Sequence, residues 1–180
     1  MIRRINRDPA ESVIRTTLPA GTYTVAVNGV GETSGFGLVE IYDLQQATSR
    51  AANISTRGIV LSGGGNNVMV AGCIVGGSAS KDLVIRALGP SLLNHGVNDA
   101  LGDPFLGFFN ANGDLLASNN NWQENPAAGT IQGLGLAPES PLESALLVTV
   151  MPGSYTAVES PAPQDSGVGL IEIYDLSPTP

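Results

Sequence analysis

Ser91 and His95 stand four positions apart in the segment GPSLLNHG, and Asp99 and Asp103 follow in VNDALGDP. A hydroxyl nucleophile, an imidazole base and an orienting carboxylate therefore fall within one short stretch, the set that an esterase uses to attack an acyl carbon. A triad is defined by geometry and not by neighbourhood, and the G-x-S-x-G turn that exposes a nucleophilic serine does not occur in the sequence. The alternative reading makes Ser91 a helix-capping residue and His95 a surface residue. Glu40, Asp43, Glu172 and Asp175 offer a second chemistry, since glycosidases place two carboxyl groups roughly 5 to 9.5 Å apart.

Oxygen-rich side chains gather in NANGDLLASNNNWQE, where Asn110, Asn112, Asp114, Asn119, Asn120, Asn121 and Glu124 lie close together in sequence. Calcium takes about six to eight oxygen ligands, and these residues converge on one ion if the two Asn-rich loops fold toward each other. Asn and Asp also fill turns for reasons of their own, because they bond to nearby backbone. Trp122, in the same segment, is the candidate anchor for a carbohydrate. With aromatic residues at only 5% of the chain, core packing is the default for Tyr23 and Tyr155.

The elements that would position these groups are strands. The 180 residues include 23 glycines and 12 prolines, which recur between short runs rich in Val, Ile, Leu and Thr. ISTRGIVL, NVMVAGCIV, KDLVIRAL, FLGFFNA, DLLASN, ESALLVTVM, SYTAVES and GVGLIEIYDL each read as a strand. Their spacing predicts an all-β, Greek-key or jelly-roll-like β-sandwich. One or two short helical turns are expected, one beginning at Pro90 and one between Asn125 and Gly133. Arg86 lies in the apolar run LVIRALGP, so it needs a carboxylate partner, Glu143 or Glu172.

Laid on itself, the sequence repeats. Residues 11–44, ESVIRTTLPAGTYTVAVNGVGETSGFGLVEIYDL, match residues 143–176, ESALLVTVMPGSYTAVESPAPQDSGVGLIEIYDL, at a constant offset of 132 without a gap. Tyr23 and Tyr155, Gly35 and Gly167, and Asp43 and Asp175 are identical pairs. An ungapped match fixes strand and turn lengths, since one inserted residue reverses the faces of a strand. The expected organisation is therefore residues 1–44 as the C-terminal third of a preceding repeat, supplying extra strands, and residues 45–180 as a complete sandwich. Recurrence of Glu40, Asp43, Glu172 and Asp175 at matched positions favours a structural use for them over catalysis.

Net charge −8 with an isoelectric point near 4.4 removes the basic face that nucleic-acid binding needs. The longest apolar runs, around Val68 to Val75, are far shorter than the roughly 20 residues of a membrane span. The N-terminal segment has a basic start and no apolar core, so a signal peptide is not visible. Cys73 is the single cysteine, set in VMVAGCIV as a small hydrophobe.

The segments DLVIRALGPSLLNHGVNDALGDP, NANGDLLASNNNWQE, LESALLVTVMPGSYTAV and GVGLIEIYDL, in that order, resemble an uncharacterised repeat of large secreted bacterial proteins. The stretch from Phe105 to Leu176 is also similar to the bacterial pre-peptidase C-terminal domain, a small β-sandwich carried by secreted enzymes. The resemblance implies an accessory or surface role outside the cell, with calcium in some relatives. The polar loop here departs from acidic versions, because no carboxylate stands among Asn119, Asn120 and Asn121. The expected function is a non-catalytic extracellular structural, adhesion or assembly module without a resident cofactor. Its partners are copies of itself or neighbouring repeats, through strand complementation. A hydrolase or a carbohydrate-binding accessory domain is the alternative.

Overall fold

Alternating side chains bury one face of a strand, and the chain uses that period to build two stacked sheets. The computed structural model of the protein describes residues 11–44 and 51–177, in two compact units that divide between Tyr42 and Asp43. The second unit carries β1 (Asn53–Val60), β2 (Met69–Val75), β3 (Lys81–Leu88), β4 (Pro104–Asn110), β5 (Leu115–Asn119), β6 (Ser144–Val150), β7 (Gly153–Pro161) and β8 (Gly167–Asp175). One sheet has the order β1-β8-β3-β6 and the other β2-β7-β4-β5, with every strand pair antiparallel. The chain changes sheet at every connection except the β4–β5 hairpin. This is the jelly-roll form of the β-sandwich that the sequence predicts.

The core lies between the sheets. Val60, Leu83, Ile85, Leu106, Phe108 and Ile171 are among its buried members, and Phe108 stacks on Tyr155 with ring centroids 5.4 Å apart. Cys73 packs at its margin, where burial pushes the thiol up to about 11. It is a filler there, not a reactive thiolate.

Strand β3 is covered on both faces. Outside its sheet, Val84 and Ala145 pack against Ile131 of the short helix α1 (Ala128–Gly133), with Trp122, Leu136 and Tyr174 around them. The expected helical turns are this helix and a 3-10 turn at Pro90–His95, closed by left-handed Gly96. Single 3-10 turns at Gly65–Asn67 and Trp122–Glu124 add to them. The start of β1 and the end of β8 meet, since Asp175 N–H donates to the Ala52 carbonyl at 3.0 Å.

Residues 11–42 differ from the strands expected of them. Among the described residues, the regular element in this segment is a 3-10 turn at Val30–Glu32. A strand is defined by ladder bonds to a neighbour, and among the described residues this segment has none. Local geometry nevertheless repeats. Tyr23 donates to the Pro19 carbonyl at 2.9 Å, as Tyr155 donates to that of Met151 at 2.8 Å. Tyr42 donates to Glu40 Oε1 at 3.0 Å, as Tyr174 does to Glu172 Oε1 at 3.0 Å.

Candidate functional site

The candidate nucleophile is held as an internal staple. Ser91 is buried at the start of its 3-10 turn, and its hydroxyl donates to Glu143 Oε1 at 2.6 Å. The same oxygen accepts the backbone N–H of Gly89 (3.0 Å) and of Ser91 (2.9 Å), while Oε2 accepts Ser140 N–H at 3.2 Å. Glu143 thus satisfies four donors of the β3–β4 and α1–β6 connections from a position with no solvent exposure. Gly89 has to be glycine here, because a Cβ would come within 2.2 Å of the Leu101 carbonyl oxygen. His95 and Asp99 are exposed. Asp103 is half-buried, and its backbone N–H donates to Asp165 Oδ2 at 3.0 Å. The serine proton goes to a buried carboxylate, so the arrangement does not assemble Ser91, His95 and an aspartate as a triad.

The oxygen-rich side chains also divide. Asn110 organises the β4–β5 turn, with its Oδ1 accepting the N–H groups of Asn112 (2.9 Å) and Asp114 (3.0 Å) and its Nδ2 donating to Asp114 Oδ2 at 2.9 Å. Asn119 is buried at the other end of the hairpin, where it accepts Ala145 N–H at 3.0 Å and donates to the Asn121 carbonyl at 2.9 Å. Asn121 donates to Glu124 Oε1 at 3.1 Å. Leu106, four positions before Asn110 on β4, is the residue that faces Asn119. At about 3.3 Å per residue, the two groups lie on the order of 13 Å apart along the hairpin. The convergence expected of them does not occur, because the turn lies at one end of the strands and the Asn-rich loop at the other. Among the described residues, no group of three or more His, Cys, Asp or Glu is placed to hold a metal ion.

Trp122 is not the exposed anchor expected of it. It packs on the second core beside Val84, Ile131 and Ala145, with its indole Nε1 buried. An open depression on the outer face of the other sheet is lined by Phe109, Asn110, Ser154, Thr156 and Val158, among others. Arg86 finds Glu172, its direct neighbour across the β3–β8 ladder. The guanidinium also donates to the Leu136 carbonyl at 3.2 Å and to Tyr174 at 3.0 Å, and it lies over the Tyr174 ring. Lys81 holds Asp175 at 2.7 Å. Burial alone would raise the Asp175 carboxyl, but hydrogen bonds from Lys81 and Ser177 outweigh it and bring it below the ordinary value.

Two features escaped the sequence patterns. Ser144, fully buried, places its hydroxyl oxygen within hydrogen-bond distance of the carbonyls of Pro104 (2.6 Å), Asn119 (2.9 Å) and Asn120 (2.8 Å), its one proton shared among them. Glu159 faces the core from β7, with both carboxyl oxygens buried and without a hydrogen-bond partner. Burial, with the nearby charge of Glu143, pushes it up to about 8. A Cβ on Gly169 would come within 2.5 Å of this carboxyl group, so a glycine opposite is the space that admits it.

Apolar side chains are also exposed in the N-terminal segment. In residues 11–42, Val13, Ile14, Val25, Val27, Phe36 and Leu38 are all more than half exposed, Phe36 reaching 87%.

No family model matches the chain, and no curated protein does. A solved structure that it resembles is the pre-peptidase C-terminal domain of a collagenase from Bacillus anthracis. The identity is 11% and the TM-score 0.42, over 67% of this chain and 88% of that one. Among the described residues, no helix is long and apolar enough to cross a membrane.

Proposed function

We propose that the chain is a non-catalytic assembly module of a secreted bacterial protein, a β-sandwich that works by association. The observation that carries this reading is the contrast between its polar and apolar groups. Ser91, Glu143, Ser144 and Arg86 are consumed in holding the fold, whereas the apolar residues of the 11–42 segment stand in solvent. The resemblance of NANGDLLAS and PGSYT to a domain of secreted enzymes supports an extracellular setting.

Size-exclusion chromatography with light scattering tests the proposal. Self-association that rises with concentration is expected, and removal of residues 1–44 should abolish it. A chain that is monomeric at every concentration would overturn it. Chromogenic esters and glycosides should stay uncleaved, and any turnover lost on Ser91→Ala would restore the hydrolase reading. Calcium and chelator should leave the melting temperature unchanged within a degree or so.

A further inference from the structure

The duplicated segment carries more than a strand pattern. In the sandwich, residues 143–174 form β6, β7 and most of β8, and they close the structure by gripping β1–β5 and their connections. Glu143 holds Gly89 and Ser91, while Ser144 holds Pro104, Asn119 and Asn120. Glu172 reaches Ser55 and Arg86, and Tyr174 accepts from Arg86. The residues at the matched positions of the N-terminal copy are Glu11, Ser12, Glu40 and Tyr42, the same type in every case.

Those side chains are retained in the N-terminal copy, which already has part of the local shape for such a grip. The two matched tyrosine hydrogen bonds are present in both copies. A Cβ on Gly37 would meet Val27 at 3.7 Å, just as Gly169 faces Glu159. The positions that β7 and β8 turn into the core, Ala157, Ile171 and Ile173, correspond to Val25, Val39 and Ile41, which are exposed.

We propose that residues 11–42 are a second closing element of the sandwich, docking onto the β1–β5 strands of a second copy of this chain in the place of its residues 143–174. The proposal rests on the assembly reading and names its partner surface. The described residues of each copy hold one strand set and two closing elements, so exchange leaves one element outside whichever docks. The direction is set by the difference between the copies. Where residues 143–174 bury the unpartnered carboxyl of Glu159, residues 11–42 bring Val27, an apolar side chain for an apolar place.

The register is fixed by the match. Val168 lies opposite Ile59, and position 36 corresponds to 168, so Phe36 of one copy should come to lie opposite Ile59 of another. In full-length chains carrying Cys73→Ser, Phe36→Cys is placed on one tagged copy and Ile59→Cys on the other, and the mixture is oxidised. Facing residues on paired strands are close enough for a disulfide. The expected result is a mixed disulfide in several-fold excess over a control pairing of Phe36→Cys with Ile74→Cys, an exposed position on β2. Equal yields, or a 36–59 bond formed only with both cysteines on one chain, would overturn the docking. Adding Glu159→Val to the accepting copy should lower the yield several-fold by removing the difference between elements, and an unchanged yield would count against it. Association by light scattering without the 36–59 bond would leave the assembly reading standing and remove this docking mode.

Discussion

Glu159 is a carboxyl group held where the fold gains nothing from charge. Its folded value of about 8 lies above the ordinary 4.5, so the folded chain binds a proton that the unfolded chain releases between those values. Stability relative to an uncharged side chain is therefore fully present below about pH 4.5 and falls as pH rises toward 8. At pH 7 the difference is about 3 kcal/mol, from roughly 1.4 kcal/mol per pH unit over that interval. Glu159→Val is expected to raise stability at pH 7 by about that amount and to flatten its pH dependence, as read by urea unfolding from pH 4 to 8. Replacing Glu143 has the opposite effect on stability. Glu143→Ala strands the donors of Gly89, Ser91 and Ser140 and should cost about 3–5 kcal/mol, measured the same way. The Arg86–Glu172 pair is legible in the sequence, because a charge in an apolar strand demands a partner. The Ser91–Glu143 link is not, since 52 residues separate its ends and a serine four positions before a histidine suggests chemistry first. The signal that finds Glu143 and Ser144 is their identity with Glu11 and Ser12 in the duplicated segment.

At the scale of elements, period-2 alternation and glycine punctuation made β1 to β8 readable, and Pro90 marked its 3-10 turn. Alternation does not say whether a strand finds a neighbour, which is why residues 11–42 carry the pattern of β6 to β8 without the ladder. Nor does it say what covers the outside of a sheet. Trp122 reads as a surface aromatic within a polar loop, yet that loop folds over β3 and seats the indole beside Ile131. Trp122→Ala should accordingly lower stability by about 2–4 kcal/mol in thermal or urea unfolding. A glycan array should be blank with the original chain and with the variant alike.

At the scale of the molecule, the second unit contains both sheets and the whole core, and it has the makings of an independent domain. Deleting residues 1–44 should leave its melting temperature within a few degrees while changing the oligomeric state. The Asp175–Ala52 hydrogen bond has a mechanical consequence. Strand β1 lies at the edge of its sheet with β8 as its ladder partner, and the beginning of one strand sits beside the end of the other. Tension applied at these two points opens their ladder one hydrogen bond after another, where shear would load all of them together. A tandem array of such units would therefore lengthen at low force, peeling from this corner, and behave under load as an extensible tether and not as a stiff rod.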